Sequence, residues 1–159
     1  MSIISETFQL AKMLFSPINT KEVKQLMMTH YPNKGVAYLM WCGKLIYNSK
    51  KPGLGLVSEV NRNHEMIHLK QAKEKGSWIW FYICYLYEWL KKNPFKNGQG
   101  AYYTNKFEVE AYSKELDFKY LERRPKNNQD KFKVESNLFS KCKYPYNYRE
   151  KIREMFCNV

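Results

Sequence analysis

The chain has only three histidines and four cysteines in 159 residues. Cys42, Cys84, Cys142 and Cys157 stand far apart and form no CxxC pair, which argues against a cysteine-based metal site. Cys84 lies in an apolar run and reads as a small core residue. Acidic residues are also scarce, 15 against 27 Lys and Arg, leaving a formal charge of +12. Such a balance permits weak attraction to nucleic acid, anionic lipid or acidic proteins. The basic residues are scattered in ones and twos, however, and no nucleic-acid-binding signature is present. A solvated basic surface is therefore expected, and a specific nucleic-acid partner is not. Repeats and low-complexity segments are absent from the sequence. Met1 to Phe15 carries Glu6 and lacks a basic segment followed by a long apolar core, so it does not read as a secretory signal. A reducing, cytoplasmic compartment is the expectation, with membrane association as the alternative.

At this length the chain reads as a single domain over residues 1–159, able to bury about two-thirds of its unfolded surface without disulfide or metal staples. Its most apolar stretch runs from Ser77 to Leu90 and is dense in Trp, Tyr and Ile. As a helix that stretch rises only about 21 Å, short of the roughly 30 Å hydrocarbon core. A buried helix packed against the preceding element is expected, ended by Asn93-Pro94. The alternative is an interfacial helix in peripheral contact with an anionic membrane, because Trp and Tyr beside Lys91-Lys92 also suit a headgroup boundary.

Two of the three histidines stand together in Asn63-His64-Glu65-Met66-Ile67-His68, a single HExxH. Imidazoles four apart lie one above the other on a helix, close enough to hold one metal ion. Glu65 follows the first of them directly, where its carboxylate can reach a metal-bound water and take its proton. That is the pattern of a zinc hydrolase, although a helix can carry two histidines by accident. The setting is helical: Ser58 is a candidate N-cap, Val60, His64, Ile67, His68 and Gln71 follow at helical spacing, and Gly76 suits the residue after the last turn.

Upstream, Ser2 to Leu14 is loosely amphipathic and stops at Ser16-Pro17. Thr20 to Met28 reads as a short helix capped by Thr20 and ending before Tyr31-Pro32. Val36 to Trp41 and Lys44 to Asn48 flank Cys42-Gly43 as the arms of a hairpin, and Lys50 to Gly55 reads as a loop. Downstream, Phe95 to Gly100 reads as a loop, and Asn105 opens a helix expected to reach about Leu121. A two-histidine zinc site usually takes a third protein ligand and leaves a fourth position for water. A carboxylate on this following helix fits, and both Glu108 and Glu110 stand on it. Yet Asn105 with Glu108 three later is also a capping box, which would use that carboxylate on backbone N–H groups. Glu110 can equally be a solvated helix carboxylate. From Pro125 onward the chain says little: Asn127 to Asp130 reads as a loop and Tyr148 to Phe156 as a short basic helix.

This order of motifs resembles the gluzincin pattern of zinc metallopeptidases, HExxH followed some tens of residues later by a helix bearing E-x-x-A. More closely, it is similar to a family of small bacterial gluzincin-like HExxH proteins. Their members read N-H-E-x-I-H-x-x-Q, an aromatic helix, A-Y-x-x-x-F-E-x-E-A-Y and then Y-L-x-x-R. The matching stretches are Asn63 to Gln71, Ala101-Tyr102, Phe107-Glu108-Val109-Glu110-Ala111-Tyr112 and Tyr120-Leu121-Glu122-Arg123, within about Leu54 to Arg124. The resemblance implies zinc held by His64, His68 and a glutamate. In many gluzincin-like families that glutamate stands three before the alanine, here Glu108; in thermolysin-like members it directly precedes the alanine, here Glu110. The F-E-x-E-A-Y order resembles the first arrangement, so Glu108 is favoured. Two positions depart from the wider pattern. Tyr112 stands where an aspartate often steadies a ligand histidine, and the oxyanion-stabilising histidine found downstream in thermolysin-like enzymes has no counterpart, His30 being upstream.

The expected fold is α+β and mainly helical: a zincin-like helical core in its minimal gluzincin form, beside a small N-terminal hairpin or sheet. The metal-site core is expected over residues 54–124, followed by a basic C-terminal extension over 125–159. The expected function is a zinc-dependent metallopeptidase acting on a peptide or protein substrate, with Zn2+ as cofactor and Glu65 as general base. A tyrosine is the natural oxyanion stabiliser, and Tyr102, Tyr103 and Tyr112 lie near the third ligand in sequence. Asn63 and Gln71 are candidates to support the site, or else a polar helix face. The alternative function is a non-catalytic or membrane-peripheral metal-binding protein with a structural zinc site.

Overall fold

Ser2 begins the first helix in the usual way for a helix end: its hydroxyl accepts from the Ser5 N–H at 3.2 Å, and α1 runs Ile3–Met13. The computed structural model describes residues 2–32, 38–50, 58–135 and 145–158. They are mainly helical with one small sheet, an α+β composition. The chain divides into two units, Met1–Trp80 and Phe81–Val159.

In the first unit α1 is followed by strands β1 (Lys24–Met28), β2 (Leu39–Trp41) and β3 (Lys44–Asn48), then by helix α2 (Glu59–Lys75). The sheet order is β1-β3-β2. β2 and β3 form the expected antiparallel hairpin, with Trp41 opposite Lys44. Its two turn residues, Cys42 and Gly43, both have positive φ (47° and 76°), as a tight hairpin turn of matching twist requires. The turn is also pressed from above, since a Cβ on Gly43 would lie 3.2 Å from Leu69 and 3.3 Å from Trp78. Residues 36 and 37 of the hairpin arm and the loop from Lys51 to Gly55 lie outside the described residues.

Thr20 to Met28 corrects the sequence reading: it contains the strand β1 and not a helix. β1 pairs in parallel with β3, from Lys24 opposite Lys44 to Met28 opposite Asn48. Its hydrogen-bond partners lie about twenty residues away, so a helix-compatible local pattern is overridden by pairing that no short window contains. The middle strand buries Leu45, Ile46 and Tyr47 in succession, as expected of a strand covered on both faces.

Two polar contacts tie α1 to this sheet. Trp41 Nε1 donates to the Leu10 carbonyl at 2.9 Å. The fully buried Glu6 carboxylate accepts from Thr29 N (2.7 Å), Thr29 Oγ1 (2.6 Å), His30 N (2.9 Å) and His30 Nδ1 (3.2 Å), just past the end of β1.

Helix α3 (Trp78–Lys91) contributes its first turn to the first unit and the remainder to the second. Then come α4 (Gly98–Tyr103), α5 (Lys106–Lys114), α6 (Tyr120–Arg123), a 3-10 turn at Asn128–Lys131 and α7 (Pro145–Met155). α4 occupies part of the expected loop, because Asn97 caps it by accepting from Gly100 N at 2.8 Å. The helix expected to reach Leu121 stops at Lys114. Asp117 makes local bonds there, accepting from Lys119 N at 3.2 Å through its side chain and from Tyr120 N at 3.0 Å through its carbonyl. Such side-chain-to-backbone bonds compete with helix continuation and reverse the chain into α6.

The stretch from Pro125, read from sequence as a basic extension, supplies much of the second unit's core. Phe132, Val134, Tyr148, Ile152 and Phe156 cluster with Tyr103, Val109 and Tyr112. Tyr148, Ile152 and Phe156 are four apart, one apolar stripe along and just beyond α7. Tyr103 and Tyr148 stack with centroids 4.8 Å apart. Buried Lys114 donates to the Phe156 carbonyl at 3.0 Å, and Arg153 pairs with buried Glu115.

α3 departs from expectation in its exposure. Trp78 and Phe81 are buried, but Ile79, Trp80, Ile83, Leu86, Tyr87 and Leu90 are exposed. Its inward side is set by aromatic contacts, Phe81 edge-on to Phe107 (5.5 Å) and Tyr85 stacked on it (5.9 Å). Among the described residues no helix is long and apolar enough to cross a membrane.

Glu6→Gln is expected to destabilise the first unit by about 3 kcal/mol at neutral pH, since an amide offers one acceptor oxygen and sets an NH2 against a donor. Burial alone would raise the Glu6 pKa, but the bonds from Thr29 and His30 outweigh it and hold the carboxyl at about 2 against an ordinary 4.5. A folded-state pKa below the unfolded one adds stability that is complete above pH 4.5 and drains away as pH falls toward 2. Denaturant titrations should show the gap between wild type and Glu6→Gln constant near pH 7 and closing over that acid window.

Candidate metal centre

α2 is stopped cleanly at both ends. Ser58 Oγ accepts from Asn61 N at 3.2 Å, and Gly76, at φ 83°, takes the left-handed conformation after the last turn, as the sequence predicts. Lys73 and Lys75 sit in the last turn, where the helix dipole favours cations. Between these caps five polar side chains are buried: Asn63, His64, Glu65, His68 and Gln71. Burying that many polar groups on one helix is costly unless each has a specific partner.

The two histidines converge. His64 Nε2 and His68 Nε2 are 3.2 Å apart, with the rings 4.9 Å apart and nearly perpendicular. The nitrogen separation is an N–H···N hydrogen-bond distance, and it is also close to the roughly 3.3 Å at which a tetrahedral zinc with nitrogens at about 2.0–2.1 Å would hold the pair. His68 Nδ1 lies 2.7 Å from Gln71 Oε1, one turn further on. Donation from Nδ1 to that amide oxygen leaves the Nε2 lone pair for a metal, the usual arrangement around a ligand histidine. Gln71 is therefore placed to support the pair. Glu65 is buried on the same helix, and Tyr47 of β3 is buried within its electrostatic reach. Burial raises the Tyr47 phenol, Arg62 opposes that and Glu65 adds to it. His30, the remaining histidine, is occupied with Glu6 and Thr29.

The second unit presents the two glutamates. Asn105 caps α5, its Oδ1 accepting from Phe107 N at 3.2 Å, while its own N–H donates to the Tyr102 carbonyl at 3.1 Å. The N–H that a capping-box glutamate would take thus goes to Tyr102. Glu108 instead accepts from the Tyr85 hydroxyl at 2.7 Å. Glu110, two residues on and about 200° around the helix, faces elsewhere. Its carboxylate accepts from Tyr120 OH (2.6 Å), Arg124 Nε (2.6 Å) and Arg124 Nη2 (3.1 Å). Arg124 Nη2 also donates to Gln129 Oε1 at 2.9 Å, and Asn128 Nδ2 to Tyr120 OH at 2.6 Å. Glu110 is thus a buried ion-pair carboxylate, not a solvated one.

The tyrosines considered for oxyanion stabilisation separate by role. Tyr103 is stacked in the core on Tyr148. Tyr112, at the position where an aspartate is common, lies in the same core with Arg149 4.7 Å over its ring. Tyr102 OH and Tyr112 OH are 3.3 Å apart. Burial first, then the Glu108 charge, raises both phenols, keeping them protonated. Tyr85 was not singled out from sequence, and nothing local distinguishes it among thirteen tyrosines. The Glu110 network had a signal, the tyrosine and arginines of the Tyr120 to Arg124 stretch.

Removing one partner of a buried, hydrogen-bonded ion pair typically costs about 3–5 kcal/mol. Arg124→Ala, which strands Glu110, is expected to fall in that range by denaturant unfolding. Glu110→Gln should cost less, because the amide still accepts from Tyr120 and Arg124.

Comparison of the chain with protein-family models, with curated proteins and with solved structures finds no match.

Proposed function

We propose that the chain is a zinc-dependent metallopeptidase of the gluzincin type, with His64, His68 and Glu108 as ligands and a zincin-like arrangement around α2. The observation that carries this reading is the 3.2 Å approach of the His64 and His68 Nε2 atoms, with Gln71 on the far nitrogen of His68. Two imidazoles and a carboxylate make a donor set that could hold a metal ion. Glu108 is favoured over Glu110 because the Glu110 oxygens serve Tyr120 and Arg124, whereas Tyr85 orients Glu108 through one oxygen. A hydrogen bond of that kind typically steadies a ligand carboxylate.

When bound, zinc would supply a Lewis acid for the scissile carbonyl and bring the pKa of water to about 7. Glu65 then does the proton work: its carboxylate takes a proton from the attacking water and delivers it to the leaving amide nitrogen. General acid–base catalysis of this kind typically contributes about 10²- to 10⁴-fold. The His64 and His68 rings stand nearly perpendicular, with their Nε2 atoms 3.2 Å apart.

Protein purified without chelator is expected to contain near-stoichiometric zinc by elemental analysis, and His64→Ala to contain none. Gln71→Ala should weaken zinc binding about 10- to 100-fold in competition with a chromophoric chelator. Glu108→Gln should weaken it far more than Glu110→Gln, compared on folded protein. The reverse order would move the ligand to Glu110.

Activity separates the peptidase from a structural zinc protein. In a peptide-library digest, zinc-loaded wild type should cleave, while Glu65→Gln should keep its zinc and lose at least about 10²-fold in rate. Full metal content with no cleavage by wild type, or equal cleavage by both, would leave the metal a structural role.

A further inference from the structure

The apolar side of α3 follows a strict helical period. Ile79, Ile83, Leu86 and Leu90 fall at i, i+4, i+7 and i+11, with Trp80 and Tyr87 along one border. All six are exposed, from 38% at Ile79 to 60% at Tyr87. A helix in a two-sided setting normally turns such a stripe inward. Here the inward side is taken by Trp78 and Phe81, and by Tyr85 against Phe107. Beyond the helix end Phe95 is also exposed, at 90%.

Charge is arranged around this stripe and not within it. Exposed Lys73 precedes the helix, and exposed Lys91 and Lys96 follow the stripe at its other end. Lys91 lies over the Tyr87 ring at 5.1 Å, so its ammonium stands at the border of the apolar surface. The one acidic residue of the helix, Glu88, lies half a turn away from the stripe and is shared between Lys106 at 3.6 Å and Lys91 at 3.5 Å. Lys92 is set apart as well, donating to the Val134 carbonyl.

We propose that this face of α3 docks on the surface of an anionic lipid bilayer. The chemistry matches layer by layer. Aliphatic side chains enter the boundary of the acyl region, Trp80 and Tyr87 sit where rings with a polar edge are favoured, and the lysines meet anionic headgroups. The helix lies in the plane of the surface, because it is too short to span the hydrocarbon core. Charge favours an anionic surface over a second copy of the chain, because exposed Lys91 and Lys96 stand at one end of the stripe and the chain as a whole carries +12. The proposal is independent of the metal reading.

The experiment is vesicle flotation of the intact protein. One set of vesicles is phosphatidylcholine alone; the other is equal parts phosphatidylcholine and phosphatidylserine. Wild type should float with the anionic vesicles and stay behind with the neutral ones, and added salt should weaken the association. Ile83→Gln with Leu86→Gln, both at exposed positions and checked for unchanged circular dichroism, should lose flotation. Lys91→Gln and Lys96→Gln should each weaken partitioning about five-fold. No flotation with either vesicle, or equal flotation with both, would overturn the proposal. So would a concentration-dependent dimer in sedimentation that the Ile83/Leu86 variant abolishes, which would assign the stripe to a second copy.

Discussion

The meeting of two imidazole nitrogens on α2 is the constraint around which the first unit is arranged. His64 and His68 can converge only if the helix between them is regular, buried and held in one orientation. The N-cap at Ser58 and the left-handed Gly76 define its ends. Leu69 and Trp78 clamp the hairpin turn onto it at Gly43, and the Glu6 carboxylate fastens α1 to the end of β1. Burial of Asn63, His64, Glu65, His68 and Gln71 is the cost of that arrangement. Leucine or alanine at those positions would pack without that cost, because a buried polar group must be compensated by a specific partner.

In the second unit the same economy divides two glutamates that stand two residues apart. Glu110 is fully occupied as the buried anchor of Arg124 and Tyr120, which fixes α6 and the 3-10 turn against α5. Glu108 is oriented by the Tyr85 phenol. Their positions around the helix give the two carboxylates separate sets of partners. The tyrosine at 112 belongs to the structural side of this division, as part of the core that α7 closes.

How much of this the sequence disclosed depends on the range of the interactions involved. The limits of α2 and the Cys42-Gly43 turn were legible because caps and tight turns are written in adjacent residues. The strand Lys24–Met28 was not, because its hydrogen bonds go to β3 and a five-residue window holds no trace of that partner. The early stop of α5 rests on a single Asp117 whose local bonds compete with the helix, an outcome its spacing does not announce. α3 was misread in burial: hydrophobicity argues that a stretch avoids water, but not that this chain's own core supplies the cover. For the site, the histidine pair and Glu65 came from one short motif. The different surroundings of the two nearby glutamates were not legible, because their partners Tyr85, Tyr120 and Arg124 lie 10 to 23 residues away.

The most direct test of the account is a crystal structure of zinc-loaded protein with anomalous scattering recorded at the zinc edge. The account predicts one strong peak, with His64 Nε2, His68 Nε2 and a Glu108 carboxylate oxygen around it and one further position open to solvent. Absence of a peak, or a zinc bound through Glu110 or a cysteine instead, would contradict it.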